Sequence, residues 1–455
     1  MQTKKILLLT FIIYVNTYAQ FGSQQIITTN ADGAFSIYAI DLDGDGDMDV
    51  LSASSEDDKI AWYENIDGQG NFGSQQIITT NADKATSVYA TDIDGDGDMD
   101  VLSASQNDNK IAWYENTDGQ GSFGSQQIIT TIANYAGSVY ATDIDGDGDM
   151  DVLSASLFDN KIAWYENTDG QGDFGSQQII TTIANGAFSV YAIDLDGDGD
   201  MDVLSASFDD DKIAWYENTD GQGSFGSQQI ISVNVDGARP VHATDIDGDG
   251  DMDVLSASFY DDEIAWYENT DGQGSFSSQQ IITTNADGPY WVHATDIDGD
   301  GDMDVLSASY IDDKIAWHEN TDGQGSFGSQ QIITANTDTA TYVYATDIDG
   351  DGDMDVLSAS YADGKIAWYE NLTPLAVNQN TLISFSIYPI PTSGILTVKL
   401  KTAIAQIEIY NKLGQLLVSR SNENMIDIST LSQGLYFCKV KDENGAFGIT
   451  KVVKE

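Results

Sequence analysis

Between residues 21 and 371 the chain is a succession of short apolar runs cut by polar turns, and the runs keep one order. "SVYATD" leads into an aspartate-rich turn, followed by "MDVLSAS", "KIAWYEN" and "FGSQQIITT". Val, Ile, Tyr, Trp and Thr dominate these runs, and Gly or Asp separates them, which predicts four short strands. No run sustains the 3.6-residue period of a helix. The set returns with the first aspartate of each turn at Asp41, Asp92, Asp143, Asp194, Asp245, Asp296 and Asp347, every step being 51 residues. A fixed period of that length with four strands in it is the pattern of a propeller. The predicted fold is therefore all-β: a seven-bladed β-propeller of 51-residue four-stranded repeats, with "TDGQGS" turning between the third and fourth strands. "FGSQQII" first occurs at 21–27, ahead of any complete repeat, and does not follow the last "KIAWYEN" at 365–371. The N-terminal strand 21–27 is thus predicted to close the last blade of a propeller spanning 20–371, removing two free sheet edges.

Beyond Asn371 the pattern changes. "LTPLAVNQN" reads as the start of a linker over 372–384, and alternating runs such as "ILTVKLK" and "GLYFCKVKD" predict a small β-sandwich over 385–455. Residues 1–19 carry Lys4 and Lys5, an apolar run from Ile6 to Val15 and small residues at Thr17 and Ala19, the pattern of a signal peptide cut after Ala19. The apolar run is about half the roughly twenty residues a membrane span needs, so no transmembrane segment is expected in the mature chain. Cys438 is the single cysteine, so an exported protein here is held together without internal disulfides.

Charge sharpens the division. Residues 21–371 hold 68 acidic and 8 basic residues, net −60, whereas residues 372–455 hold 6 acidic and 8 basic, net +2. The whole chain is at −56, a field that repels phosphate backbones and anionic lipid, so nucleic acid is excluded as a first partner. Much of the charge sits in the seven turns. Aspartates occupy turn positions 1, 3, 5, 7 and 9: Asp41, Asp43, Asp45, Asp47 and Asp49 in the first copy, then Asp92, Asp94, Asp96, Asp98 and Asp100. The third and fourth copies carry Asp143, Asp145, Asp147, Asp149 and Asp151, and Asp194, Asp196, Asp198, Asp200 and Asp202. The fifth has Asp245, Asp247, Asp249, Asp251 and Asp253, and the sixth Asp296, Asp298, Asp300, Asp302 and Asp304. Asp347, Asp349, Asp351, Asp353 and Asp355 complete the set. Without a cation such density of like charge would push the turn apart. Oxygen-only donors in a flexible loop select a hard cation, and their number suits calcium better than magnesium. The opening D-x-D-x-D-G is similar to an EF-hand loop, but its twelfth position is Ser103 and its flanks are strands.

These loops, in this period, resemble the FG-GAP or VCBS repeats, whose propeller is similar to the integrin alpha-subunit head. The resemblance covers residues 21–371. It implies calcium held by side chains at positions 1, 3, 5 and 9 and by the backbone carbonyl at 7. In the first copy these are Asp41, Asp43, Asp45 and Asp49, with the carbonyl of Asp47; seven loops imply about seven ions. In the tail, "YPIPTSG" at 388–394, "NKLGQLL" at 411–417, "ISTLSQGLYFCKV" at 428–440 and the final "TKVVK" resemble, in order and position, the C-terminal sorting domain of type IX secretion. That resemblance implies the type IX machinery as a partner, passage across an outer membrane, and release or attachment at the cell surface.

Seven tryptophans, Trp62, Trp113, Trp164, Trp215, Trp266, Trp317 and Trp368, recur in the third strand and are expected to pack between blades. On a propeller the aspartate turns and the "TDGQGS" turns share one face. The copies differ on the other, in segments such as "SSEDD" against "SFYDD", or "NADGAFS" against "NADGPYW". Aromatics collect there: Phe158, Phe208, Phe259, Tyr260, Tyr290, Trp291, Tyr310, Tyr342 and Tyr361. Exposed aromatics amid aspartate suit contact with a glycan or an extracellular protein, and Arg239, the propeller's one arginine, is a candidate carboxylate contact. His242, His293 and His318 replace tyrosines of other copies and read as packing substitutions. No serine, cysteine or histidine arrangement is set apart from the repeat, so no enzyme is expected. The functional expectation is an exported binding or adhesion module. The alternatives are a calcium-assisted polysaccharide lyase or hydrolase on the same scaffold, and a structural surface-layer component.

Overall fold

The computed structural model describes residues 20–372, 385–412, 416–442 and 447–455. The segment read as a signal peptide, 1–19, and all of the linker after Leu372 lie outside the described residues. The chain divides into two compact units, at residues 375 and 376.

Among the described residues the first unit contains seven four-stranded antiparallel sheets. One is Ala34–Ile40, Asp49–Ser54, Lys59–Tyr63 and Gln76–Thr79, paired in that order, and five more repeat it. The seventh pairs Ala340–Thr346, Asp355–Ser360 and Lys365–Tyr369 with Gln25–Thr28 from the start of the chain. There Gln25 faces Trp368, and Gly22 N donates to Glu370 O at 2.7 Å. Phe21 bridges Asn371 as Phe72 bridges Asn65 within the first blade. First strands touch first strands around an unbroken cycle, Ala34–Ile40 lying against both Ala85–Thr91 and Ala340–Thr346, so they form the inner wall of a ring. Each inner strand carries a bulge near its start, between Ala34 and Ser36 in the first blade.

Packing follows from the pattern. The second strand "DVLSAS" is buried along its whole length in every blade, and its small Ser and Ala positions let flanking strands approach closely. The third-strand tryptophans are 2–3 % exposed. Trp62 sits with Leu42 and Leu51 of its own blade and Val88, Val101 and Tyr114 of the next; Trp368 sits with Ile37, Val50 and Tyr63, which carries the core across the closure. A glycine makes this possible. Gly121 has φ +76°, and a Cβ there would lie 2.2 Å from the Trp62 ring; Gly70 stands likewise over Trp368. The expected role of the tryptophans between blades therefore holds: six are covered by the hairpin of the next blade, and Trp317, whose next blade is closed by the N-terminal strand, packs in one cluster with Phe21 instead.

Among the described residues the second unit has two sheets. One is Ser386–Tyr388, Ile395–Lys399 and Met425–Asp427; the other orders Leu416–Ser421, Ile404–Tyr410, Gly434–Asp442 and Phe447–Lys454. Leu396, Val398, Ile407, Ile409, Cys438 and Val440 form the core between them. Burial pushes the Cys438 thiol up to about 12, so it serves as a small apolar group.

Candidate metal centres and ligand face

Each aspartate loop joins the inner strand to the second strand and is folded by its own carboxylates. In the first copy Asp41 accepts from Gly44 N at 2.8 Å and from Gly46 N at 3.0 Å, which wraps the loop around it. Asp43 accepts from Asp45 N at 3.3 Å and Asp45 from Asp47 N at 3.0 Å. The same bonds recur in the second and seventh copies, within 0.3 Å. Carboxylate oxygens of Asp41, Asp43 and Asp45 lie within 4.8 Å of one another, as do those of Asp92, Asp94 and Asp96; in the fourth loop Asp194 and Asp196 converge with Asp202. Two oxygens bound to one calcium at about 2.4 Å each can be no more than about 4.8 Å apart, so the donor set fits that ion in size and chemistry.

Position 9 is the anchor. Asp49 is 1 % exposed; its Oδ2 accepts from Leu42 N at 3.0 Å and its Oδ1 from Asn65 N at 2.8 Å. Burial pushes its carboxyl up to about 7 against those two bonds, and Asp43 and Asp45 add to the rise. Asp100, Asp151, Asp202, Asp253, Asp304 and Asp355 are raised alike. In each the largest cause is burial, which disfavours the charged form. Position 7 behaves differently. The Asp47 side chain turns onto Gly68 of the same blade's hairpin, where a Cβ would come within 2.3 Å of it, so its carboxylate leaves the cluster. Asp98, Asp149, Asp200, Asp251 and Asp302 pack on the equivalent glycines. In the seventh loop Asp353 meets Asp351 instead, and burial with that neighbour pushes it up to about 7.

Sequence reasoning missed a structural partner of these loops. Asn65 is fully buried; its Nδ2 donates to Ile348 O of the preceding blade's loop at 2.8 Å, and its Oδ1 accepts from Gly70 N at 3.1 Å. Asn116 reaches Leu42 O in the same way at 2.8 Å, and Asn371 reaches Ile297 O at 2.7 Å. One asparagine per blade thus ties each aspartate loop to its neighbour. The signal was present: a polar residue repeated at the end of every "KIAWYEN" run has to satisfy something buried.

On the opposite face six turns close with an ion pair, Lys59 to Asp57 at 2.7 Å being the first. The fifth blade has Glu263 at the lysine position, and burial and Asp261 raise its carboxyl. Phe158 and Tyr260 are exposed, at 66 % and 60 %. Arg239 lies in a cup of four rings, with its guanidinium 4.0 Å from Tyr290, 4.1 Å from Phe259, 5.0 Å from Phe188 and 5.1 Å from Phe208. Tyr290 is buried beneath it, and Trp291 and Tyr342 turn into the central channel. His242 and His293 complete a ring of seven aromatic side chains around that channel. His318 is buried with neither nitrogen paired, and burial pushes it down to about 4.

Comparison with known proteins agrees with this architecture. A pattern described as an FG-GAP-like repeat matches residues 41–103, 92–154, 143–205, 194–256, 245–307 and 296–358. A secretion system C-terminal sorting domain matches residues 386–455. No curated protein matches the chain. Among solved structures, BBS1N in complex with ARL6DN is similar over 78 % of this chain and 97 % of its own, at 12 % identity, with TM-scores of 0.53 and 0.55 in crystals soaked with lead and with mercury. The V. cholerae biofilm matrix protein Bap1 aligns with 81 % of this chain and 58 % of its own, at 16 % identity and a TM-score of 0.38. At these identities the first likeness is one of fold, and the second carries no argument.

Proposed function

The chain belongs to the FG-GAP-like repeat proteins and ends in a type IX sorting domain, and from that premise we propose that it is a calcium-binding module, exported to or beyond the cell surface, that binds a glycan or an extracellular protein. Calcium would be held by the side chains at loop positions 1, 3, 5 and 9, with the backbone carbonyl at 7. When bound it would supply the positive charge that these buried and crowded carboxylates lack. The asparagines would then carry the order of one loop to the next, as Asn116 does from its own blade to Leu42 O.

The observation that supports a binding role most directly is the contrast between the two faces. The aspartate face repeats one structure in six of the seven blades, whereas the opposite face breaks the repeat with the Arg239 cup and with Phe158 and Tyr260 in the open. A rigid ring that offers one irregular surface is a scaffold for recognition. The sorting domain accounts for the secretion machinery as a partner and for a place outside the cell.

The test is binding of the full chain to a panel of polysaccharides and to extracellular protein from its surroundings, in calcium and in excess chelator. Calcium-dependent binding without cleavage of the polymer is the expected result. Polymer shortened on incubation would replace this reading with an enzymatic one.

A further inference from the structure

The seven inner strands surround a chamber of about 200 Å³. Its floor, on the side of the aspartate loops, is the aromatic ring to which each blade contributes one residue, from Tyr38 round to Tyr344, with neighbouring centroids 4.8–5.6 Å apart. The walls come from two residues earlier in each strand, and there the copies diverge. Ser87, Ser138 and Ser189 line one side. Trp291 and Tyr342 line the other, stacked at 4.1 Å with 21° between their planes. A second cavity, of about 20 Å³, shares Ser87, Ser138, Trp291 and Tyr342 with the chamber and extends to Phe188 and Tyr290 beside the Arg239 cup.

Among the described residues no acidic, lysine or arginine side chain lines the chamber. Burial pushes His242 down to about 4 and His293 to about 3, and it raises Tyr38, Tyr89 and Tyr140, so the floor is uncharged near neutral pH. Bringing an ion into such surroundings leaves its charge uncompensated and costs several kcal/mol. The floor tyrosines bond to one another, Tyr38 to Tyr89 and Tyr344, and Ser87 Oγ accepts from Val139 N at 3.3 Å, but a purely apolar guest would give the serine hydroxyl protons no acceptor. A guest with one apolar face and a rim of hydroxyls meets both walls, and the space is that of one sugar ring.

We propose that this axial chamber binds one uncharged pyranose unit, the terminal residue of a neutral glycan, with Trp291 and Tyr342 against its apolar face and Ser87, Ser138 and Ser189 on its hydroxyls. The inference rests on the binding function proposed above and names the class of ligand. On the variable face Tyr290 lies 5.5 Å from Phe35 and 5.8 Å from Phe188 and roofs the chamber, so a sugar enters past Gly137 only as these rings move aside.

The molecule carries its own reporter. Of its eight tryptophans, Trp291 alone lies outside the repeated third-strand position, and the other seven are 2–3 % exposed. Neutral methyl pyranosides and the methyl glycoside of a uronic acid are titrated into the calcium-loaded full chain, followed by tryptophan emission and by calorimetry. A saturable change with at least one neutral glycoside, at least tenfold weaker for the uronate, is expected. Trp291→Ser installs the residue of the first four blades, and Ser87→Tyr installs that of the seventh. Both should keep the wild-type melting temperature and weaken the calorimetric binding at least tenfold. No saturable binding by any neutral glycoside, or binding undiminished in Trp291→Ser, overturns the chamber. Polysaccharide binding that survives Trp291→Ser would overturn the chamber and leave the binding function standing; absence of polymer and protein binding in the wild type would remove that function itself.

Discussion

Removing calcium is the perturbation with the largest calculable effect. At ten times the dissociation constant each site contributes about 1.4 kcal/mol, and seven independent sites contribute about 10 kcal/mol. An unfolding entropy of about 2.1 cal/mol/K per residue comes to roughly 0.7 kcal/mol/K over residues 21–371, so chelation should lower the melting temperature by about 13 °C. The structure adds a pH dependence with a definite sign. Burial raises Asp49 and its six equivalents from 3.8 to about 7. A group raised on folding contributes stability that is fully present below 3.8 and is lost as pH rises through about 7. The chelated protein should therefore weaken between pH 5 and pH 8, while calcium, which competes with those protons, becomes more effective over the same range. The gap between loaded and chelated melting temperatures should widen with pH. Scanning calorimetry in calcium and in excess EDTA, at unit steps from pH 5 to pH 8, measures it. Equal melting temperatures at pH 8, or a gap that does not change with pH, would refute calcium at these loops.

Two substitutions test the packing of single blades. In five blades the third-strand tyrosine hydroxyl accepts from a glutamine Nε2 at 2.7–2.8 Å and lies 3.3–3.5 Å from a serine Oγ, whereas His318 has neither bond. His318→Tyr should restore both near Gln330 and Ser307, adding about 1–2 kcal/mol and raising the melting temperature by about 1–3 °C. His318 is held at about 4 against an ordinary 6.5, so its contribution is present above 6.5 and lost as pH falls toward 4; the variant should lose less stability over that interval, and an unchanged pH slope would count against this account. Glu263→Lys should form the ion pair that the other six blades make at 2.6–2.7 Å, a gain of about 0.2–1 kcal/mol at low ionic strength that shrinks in 1 M salt. Chemical denaturation at two salt concentrations checks it, and a loss of stability at low salt would contradict the pairing.

The all-β fold and its repeat were legible in the chain itself because each rests on local rules, and the sorting tail through the resemblance of its ordered motifs to a known family. Alternating apolar runs, glycine turns and a constant 51-residue step need no knowledge of what lies across the molecule. The convergence of Asp41, Asp43 and Asp45 is of the same kind, since neighbours in one loop bring themselves together. What faces the channel was decided only by the tertiary structure. Trp291 and Tyr342 read as aromatics of an outer surface; the bulge between Pro289 and Trp291, repeated between Ala340 and Tyr342, turns them inward instead. One extra residue in a strand reverses which side each following side chain takes, and composition does not reveal it. Asn65 could not be paired from sequence either, because its carbonyl partner at Ile348 is 283 residues away and becomes a neighbour only when the ring closes. Arg239 read as a candidate carboxylate contact for the same reason: its four rings come from three different blades, and only the curvature of the closed propeller gathers them around one guanidinium.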